Sequence, residues 1–385
     1  MKEMIPQSAY LHIPFCVKKC SYCDFVSFAN QSEKMEAYLL SILREIELTK
    51  DAFPNHEPLS TIYFGGGTPT TYAPEQLALI LRALHSAFGI VPDAEITLEM
   101  NPGTVDASSL LLLKESGFNR VSIGVQSFSD RLLSVLGRIH TSREAESAIQ
   151  EARSAGFGNI NCDLMIGLPE QSFDDAMTSV QRLIDLKVPH ISFYSLSLEE
   201  GTPFFDQYNK REDLLPTPEL EREMYHGMLA VLKRNGYEHY EISNCALPGY
   251  RSRHNTIYWK ALPYYGFGCG AHAFLQGDRF GKITDLNRYI KSMRSDGMLT
   301  DIMEETVTID EAESEREFML LGFRLTEGVA EEEFMDRFGM PMTDVFSKEL
   351  EELLNKKLIL RDNGHFFLSK RGIDLANEVF RSFVK

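Results

Sequence analysis

The stretch YLHIPFCVKKCSYC, residues 10–23, joins a short apolar run of strand length to three cysteines. Cys16, Cys20 and Cys23 are spaced four and three positions apart, so their side chains can point inward from one looping turn. Soft thiolates favour zinc or an iron–sulfur cluster. A structural zinc site would need a fourth protein ligand, and none lies nearby in sequence. Three ligands for a four-iron cluster would leave one iron open to a small molecule, and unligated buried thiols are the remaining alternative.

The composition is that of a globular protein with an acidic balance of charge. Of 385 residues, 43% are hydrophobic and 25% charged, and the formal net charge is −17. This excess of negative charge argues against a nucleic-acid or anionic-membrane partner. No stretch reaches the roughly 18 uninterrupted apolar residues of a transmembrane helix, and Met1–Pro6 lacks the apolar core of a signal peptide. Clustered cysteines are also unlike scaffolding disulfides, so we expect a cytoplasmic location.

Strand-like and helix-like segments alternate through the first half of the chain. The predicted strands are Tyr10–Ile13, Thr61–Phe64, Glu95–Glu99, Val121–Val125, Ile160–Met165 and Ile191–Ser195. The predicted helices between them are Glu33–Lys50, Pro74–Phe88, Ala107–Ser116, Ser142–Ala155 and Phe173–Leu186. Such alternation indicates an α/β fold with parallel strands and right-handed crossovers. Six units predict a partial (β/α)6 barrel, two units short of the full barrel of eight.

Beyond about residue 200 the pattern changes, which predicts three domains. These are a partial barrel at 1–200, a barrel-closing α+β extension at 201–300 and a small winged-helix-like domain at 301–385. The last contains predicted helices at Ala330–Arg337, Thr343–Asn355 and Lys370–Val384, with short strands at Ile359–Leu360 and His365–Leu368. Winged helices commonly bind DNA, but the acidic run Asp310–Glu317 favours packing or protein docking. Nucleic-acid docking by this tail is the weaker alternative.

Polar residues and glycines collect where the predicted strands end. They include Gly65–Gly67, Glu99, Gln126 and Asp163. Each alone could be an ordinary loop or cap residue. Because ligands bind at the carboxyl ends of parallel strands, several such residues at successive strand ends indicate one shared site.

The C-x3-C-x2-C pattern is the signature of the radical S-adenosylmethionine (SAM) superfamily, and further motifs resemble one group within it. They are YLHIPFC at 10–16, FGGGTPT at 64–70, IGVQSF at 123–128 and DLMIGLP at 163–169. All resemble the oxygen-independent coproporphyrinogen III oxidase group in order and spacing, and the tail resembles the C-terminal module of that group. The resemblance implies a radical SAM partial barrel that carries a [4Fe–4S] cluster and SAM.

The resemblance also implies roles for individual residues. Cys16, Cys20 and Cys23 would ligate three irons, and the amino and carboxylate groups of SAM would chelate the fourth. Gly66, Gly67 and Thr68 would form the wall beside the methionyl amine, where glycine permits close backbone approach.

Further residues would hold the remaining parts of SAM. Glu99 would accept hydrogen bonds from the ammonium, and Arg138 would pair with the carboxylate. Gln126 and Asp163 would accept hydrogen bonds from the ribose hydroxyls. The backbone of Tyr22 would contact the adenine, and Tyr10 would make a further contact with SAM. In the superfamily an electron from the reduced cluster breaks a carbon–sulfur bond of SAM, so a reductant is an implied partner.

Two departures from the oxidases and one addition distinguish this chain. The oxidases carry a further cysteine where this chain has Phe25, and they have a longer N-terminal extension ahead of the cluster. The addition is HNTIYW at 254–259, which resembles the signature of the haem chaperone branch, HemW. It implies haem binding by His254, Asn255, Tyr258 and Trp259, since imidazole is a common axial ligand and aromatic side chains offer surface to a macrocycle. The alternative is a hydrogen-bonded aromatic corner that closes the barrel.

Together these features favour a cytoplasmic haem chaperone that binds haem and passes it to an apo-haemoprotein. The resemblance also implies cluster-dependent formation of a homodimer. The alternative function is that of an oxygen-independent coproporphyrinogen III oxidase, which abstracts hydrogen from propionate side chains. Formation of protoporphyrinogen from coproporphyrinogen would separate the two.

Overall fold

A computed structural model describes residues 4–294 and 296–384 of the chain. Met1–Glu3, which begin both the N-terminal segment considered above and the first predicted domain, lie outside the described residues. The same holds for Lys385, the last residue of the third predicted domain. Within the described ranges, none of the helices combines the length and apolar character needed to cross a membrane.

The main sheet has nine strands, of which the first six belong to the predicted β/α units. These are β1 Ser8–Ile13, β2 Leu59–Gly66, β3 Ile90–Met100, β4 Arg120–Gln126, β5 Asn159–Ile166 and β6 His190–Ser195. They lie side by side in chain order, and each pair of neighbours is parallel. The α/β fold with six parallel strands is therefore confirmed.

Five helices lie where the spacing predicted them, and a sixth, α4, was not predicted. They are α1 Met35–Ala52, α2 Pro74–Phe88, α3 Ala107–Glu115, α4 Asp130–Val135, α5 Ser142–Ser154 and α6 Phe173–Asp185. Local signals explain their ends: Pro74 occupies the first turn of α2, and the Asp106 carboxylate accepts the backbone N–H of Ser109 at the start of α3. The region predicted as the start of the first helix is instead a 3-10 turn, Ser32–Lys34.

Three more strands extend the sheet beyond the six predicted. They are β7 Glu238–Glu241, β8 Asn244–Ala246 and β9 Tyr265–Phe267. The full strand order is β9-β1-β2-β3-β4-β5-β6-β8-β7, in which β9 is parallel to β1 and β8 is antiparallel to both of its neighbours. Runs of three or four residues are too short to show a period in the sequence.

In the middle of most barrel strands, apolar and polar side chains alternate. On β4, Val121, Ile123 and Val125 belong to the hydrophobic core that the helices cover, while Arg120 and Ser122 lie on the opposite, inner face. Because successive side chains of a strand point to opposite faces, every second residue of each barrel strand lines the interior. The interior is therefore polar, and the apolar core lies between the sheet and the helices.

The remaining elements form the extension and the C-terminal part. Helices α7 Pro203–Tyr208, α8 Pro218–Arg234, α9 Arg253–Trp259 and α10 Leu286–Ser292 accompany an antiparallel sheet of β10 His272–Leu275, β11 Asp278–Lys282 and β12 Met303–Thr308. Further 3-10 turns lie at Pro69–Thr71, Glu212–Leu214 and Leu299–Asp301.

The C-terminal part has its own apolar core and a three-stranded sheet. It comprises α11 Glu311–Gly322, β13 Val329–Ala330, α12 Glu331–Phe338, α13 Met342–Val345, α14 Ser347–Asn355, β14 Ile359–Asp362, β15 His365–Leu368, α15 Lys370–Asp374 and α16 Ala376–Arg381. Two helices predicted as continuous are each interrupted, at Phe346 and at Leu375, where ψ rises to 31°. Both residues leave the helical region while their neighbours pack into this core.

Candidate functional site

The three predicted cluster ligands lie on one loop that follows β1. Cys16, Cys20 and Cys23 are free, half-buried thiols. The backbone N–H of Cys23 donates to the carbonyl of Cys20 at 3.2 Å, so the chain turns tightly between two of the sulfurs. Burial raises the pKa of the Cys16 and Cys23 thiols, so their thiolate forms need a positive partner such as a metal centre.

The donor set fits an iron–sulfur cluster. Soft thiolates are the ligands that such clusters take, and Cys16, Cys20 and Cys23 present three of them from one loop.

A glycine turn at the end of β2 packs against the cysteine segment. The N–H groups of Gly67 and Thr68 donate to the carbonyls of Ile13 and Phe15 at 2.9 and 2.7 Å. A Cβ on Gly67 would lie 2.7 Å from the Phe15 carbonyl oxygen, and Gly66 has φ of +111°. Glycine is needed at 67 for the close approach and at 66 for the positive φ, so the turn can pack tightly against the cysteine loop.

Glu99 lies beside this turn as a partly buried carboxylate. Its two oxygens accept hydrogen bonds from the Tyr63 hydroxyl at 2.7 Å and from the Gly66 N–H at 3.0 Å. Burial raises the pKa of Glu99 to about 7, although both hydrogen bonds act in the opposite direction. A carboxylate held in this state favours a neighbouring cation, such as an ammonium group.

Arg138 reaches the cysteine loop from the segment after α4. Its Nη1 lies 3.5 Å from the Cys20 sulfur, and its Nη2 donates to the Asn101 amide oxygen and the Gly124 carbonyl, both at 2.6 Å. Its Nε is buried without a hydrogen-bond partner among the described residues. The Nε–H of the guanidinium is thus available to an anion.

Thr68 connects the same groups from the other side. Its hydroxyl donates to the Cys16 sulfur at 3.6 Å and accepts from the Asn101 amide at 2.8 Å. Asn101 therefore links Thr68 to Arg138. Because donors to sulfur stabilise thiolates, these side chains favour the ligating form of two cysteines.

Of the two predicted ribose acceptors, Gln126 is the last residue of β4 and Asp163 lies on β5. Asp163 accepts from the Asn161 amide at 2.8 Å, and burial raises its pKa. Gln126 ends β4 with φ of +67°, a conformation uncommon for a side-chain-bearing residue. Both residues lie at the carboxyl-terminal half of their strands, on the polar inner face.

Of the two predicted aromatic contacts of SAM, Tyr10 lies on β1 and Tyr22 lies in the cysteine loop. Tyr10 is half-buried, donates to His12 Nδ1 at 2.9 Å and lies 6.2 Å from the Tyr63 ring. Tyr22 is half-buried between two cluster cysteines, and its ring lies 6.3 Å from that of Phe204. The exposed Phe25 takes the position where the oxidases have a cysteine, and its carbonyl accepts from Lys19 Nζ at 3.0 Å.

His254 of the predicted haem segment lies inside the barrel. It is 1% exposed, its Nδ1 contacts the Thr61 hydroxyl and its Nε2 contacts the Tyr258 hydroxyl, each at 2.8 Å. Burial and then the charge of Arg120 lower the pKa of His254 to about 3, so the ring is neutral. In this arrangement neither ring nitrogen is free to bind iron.

Asn255, Tyr258 and Trp259 of the same segment are half-buried. The Arg324 guanidinium lies 4.3 Å from the centre of the Trp259 ring. Within the described chain, the indole Nε1 of Trp259 is buried and has no hydrogen-bond partner. His254 thus lies inside the barrel, whereas Trp259 lies against Arg324 of the C-terminal part.

Sequence reasoning missed several polar residues of the inner face. They are Tyr63, Glu95, Asn101, Arg120, Asn161 and His190. Five of them lie on strands whose other face is apolar, so the alternation of polar and apolar residues was the available signal. Asn101 directly follows β3, but nothing in the sequence paired it with Arg138.

Comparisons with known families match two parts of the chain. Residues 10–183 match the family model described as the radical SAM superfamily. Residues 309–375 match the HemN C-terminal domain.

Curated relatives match over nearly the whole chain. The heme chaperone HemW of Lactococcus lactis subsp. lactis (strain IL1403) is 35% identical over 379 residues, which cover 98% of this chain and 97% of the relative. The heme chaperone HemW of Bacillus subtilis (strain 168) is 36% identical over 379 residues, covering 98% and 99%.

A solved structure shares the whole fold. Coproporphyrinogen III oxidase (HemN) from Escherichia coli, described as a radical SAM enzyme, has a TM-score of 0.85 and 22% sequence identity. The alignment covers 99% of this chain and 90% of that one. At this identity the likeness concerns the fold alone.

Proposed function

The chain belongs to the HemW family of the radical SAM superfamily, and on that premise we propose that it is a haem chaperone, which binds haem and transfers it to apo-haemoproteins. The membership confirms the resemblance drawn from the sequence motifs. The observation that carries the proposal is identity of 35% and 36% with two haem chaperones over 98% of this chain.

Cys16, Cys20 and Cys23 are the proposed ligands of a [4Fe–4S] cluster, with SAM on the open iron. When bound, such a cluster supplies the electron that cleaves SAM in the superfamily. Supporting this assignment are the free, half-buried state of the thiols and the donors that reach two of them from Thr68 and Arg138.

Groups around the loop suit the two ends of the methionyl part of SAM. Glu99 offers a carboxylate that accepts from the N–H groups of the amine, and the unpartnered Nε of Arg138 offers a donor to the carboxylate. Gly66, Gly67 and Thr68 form the wall beside them. For the rest of SAM we assign the ribose to Gln126 and Asp163, and further contacts to Tyr10 and Tyr22.

For haem, the contacts best supported are those of Asn255 and Trp259, next to Arg324. Asn255 and Trp259 are half-buried, and Arg324 places a positive charge over the indole ring. An aromatic face beside a cation suits a flat macrocycle that carries carboxylates. Tyr258 is engaged with His254 and contributes through that contact.

The remaining elements of the proposal concern partners and organisation. They are an apo-haemoprotein acceptor, a reductant, a cytoplasmic location, a homodimer and the division at residues 200 and 300. The acidic charge of −17 supports the expectation of no nucleic-acid partner.

The decisive experiment is anaerobic reconstitution followed by titration with haem, monitored at the Soret band, and then addition of an apo-cytochrome. We expect stoichiometric haem binding by the reconstituted protein and transfer to the apoprotein. Absence of haem binding by fully reconstituted protein would contradict the proposal.

A parallel incubation with SAM, reductant and coproporphyrinogen separates the oxidase function. We expect no protoporphyrinogen, because Phe25 replaces the additional cysteine of the oxidases. Its formation would overturn a role limited to haem transfer.

A further inference from the structure

His254 of the HNTIYW segment contacts two side chains of β2 inside the barrel, Thr61 through a hydrogen bond and Tyr63 through its ring. We propose that His254 is a positioning residue of that site: it holds Tyr63, whose hydroxyl orients the Glu99 carboxylate, and it is not the axial ligand of haem. The inference rests on the proposed function, since it takes Glu99 as the acceptor for the SAM ammonium.

The hydrogen bonds of His254 define its tautomer. The Thr61 hydroxyl donates to Ser8 at 2.9 Å, so its oxygen accepts from His254 and Nδ1 carries the proton. Nε2 then accepts from the Tyr258 hydroxyl. The single lone pair that could bind iron is therefore already used, on a side chain that is 1% exposed.

The ring of His254 packs on Tyr63. Their centroids lie 5.2 Å apart with an interplanar angle of 27°. Tyr63 also stacks with Tyr10 at 6.2 Å, and its hydroxyl donates to Glu99 at 2.7 Å. Ring contacts of this kind fix the orientation of an aromatic side chain, and with it the direction of its hydroxyl.

The backbone of the segment is tied to the same strand that carries Glu99. The Glu95 carboxylate accepts the N–H groups of Arg253 and His254 at 3.1 and 3.0 Å. Glu95 and Glu99 lie four positions apart on β3 and thus on one face of it. Two connections therefore join α9 to β3, one through Glu95 and one through Tyr63, so a displacement of His254 reaches Glu99.

The test measures SAM binding and haem binding separately on anaerobically reconstituted full-length protein. His254→Ala removes the ring, whereas His254→Phe keeps the ring and removes both nitrogens. We expect His254→Ala to weaken SAM binding by about threefold to tenfold. His254→Phe should retain SAM affinity close to that of the wild type, and both variants should keep the wild-type Soret maximum and haem dissociation constant.

A double-mutant cycle distinguishes positioning through Tyr63 from a general loss of structure. In a Tyr63→Phe background, His254→Ala should cost less SAM affinity than it does in the wild type, because the hydroxyl it orients is already absent. If His254→Ala does not fold, two other variants still test the inference. The Soret band of His254→Phe tests whether His254 binds the haem iron, and the SAM affinity of Tyr63→Phe tests whether the Tyr63 hydroxyl orients Glu99.

Three results would overturn the inference. They are a lost or shifted Soret band in His254→Phe, independent effects in the double-mutant cycle, and unchanged SAM affinity in Glu99→Gln. Failure of the wild type to bind haem, with SAM binding intact and the cycle coupled, would instead defeat the chaperone function and leave this inference standing.

Discussion

Arg138 Nη1 lies 3.5 Å from the sulfur of Cys20, although 118 residues separate them in the chain. The same guanidinium donates to Asn101 and to the Gly124 carbonyl, so it joins the cysteine loop to the ends of β3 and β4. Because hydrogen bonds to a charged group are stronger than neutral ones, this contact holds the loop against the sheet before any ligand binds.

Removal of one loop sulfur should abolish the cluster. In Cys20→Ala we expect loss of the brown cluster absorbance, with the protein still soluble, because a cluster cannot be held by two remaining thiolates. Iron and sulfide analysis after anaerobic reconstitution measures the effect. Cys245→Ala is the matched control, since Cys245 is a buried thiol on β8, and it should retain wild-type iron. Full iron and sulfide in Cys20→Ala would refute the ligand assignment.

Arg138→Lys should weaken SAM binding by about tenfold while leaving the cluster in place. A lysine keeps the charge but cannot contact Asn101, Gly124 and a ligand carboxylate at once. Calorimetric titration of reconstituted protein with SAM measures the dissociation constant. Arg131→Lys removes a guanidinium from an exposed ion pair with Glu170 and should bind SAM normally. Equal affinities for the Arg138 variant and wild type would remove Arg138 from the site.

SAM affinity should depend on pH through Glu99, whose pKa is raised to about 7 by burial. Below that pH the carboxyl is protonated and loses its negative charge, so affinity should fall by about fivefold between pH 7 and pH 6. Above pH 8 affinity should be constant. Titrations between pH 6 and pH 8.5 measure this dependence.

Glu99→Gln serves as the control for that titration, because an amide has no charge to lose. Its SAM affinity should be lower at pH 8 and nearly independent of pH over the same range. A wild-type profile as flat as that of the variant would place the titrating group elsewhere.

The buried ion pair of Glu45 and Lys282 should contribute strongly to stability. Both side chains are at most 5% exposed, and Glu45 also accepts from the Gly268 N–H at 2.9 Å and from the Tyr289 hydroxyl. Lys282→Met leaves the Glu45 carboxylate buried and unpaired, which should lower the free energy of unfolding by about 3–5 kcal/mol. Urea denaturation followed by circular dichroism measures the change.

An exposed pair provides the comparison for that variant. Arg288 and Glu304 lie 3.5 Å apart with side chains more than half exposed. Arg288→Met should therefore change the free energy of unfolding by less than about 1 kcal/mol. Similar losses in the two variants would contradict the claim that burial sets the difference.

Local sequence signals predicted the barrel strands and most helices of the first 200 residues. Helix α2 has the predicted bounds, Pro74–Phe88, because Pro74 and Gly89 mark its two ends. The short strands β7, β8 and β9 were not predicted, since their pairing partners, not their own residues, define them. In the C-terminal part, breaks at Phe346 and Leu375 follow from packing into a shared core.

In the candidate site, too, some features could be predicted from the sequence and others could not. Glycine at 66 and 67 and the cysteine spacing were visible because close approach and cluster ligation each demand particular residues at particular intervals. The contact of Tyr63 with Glu99 was not, because residues 36 positions apart meet only when β2 and β3 pair in one register.

By itself the sequence determined the six β/α units, the thiol trio and the family, since these depend on residue type and on spacing along the chain. Only the tertiary structure decided that His254 lies buried inside the barrel against Tyr63, 5.2 Å away. The physical reason is that the face on which a side chain lies depends on how α9 is anchored at its N-terminus. That anchor is the Glu95 carboxylate, which belongs to a strand more than 150 residues earlier in the chain.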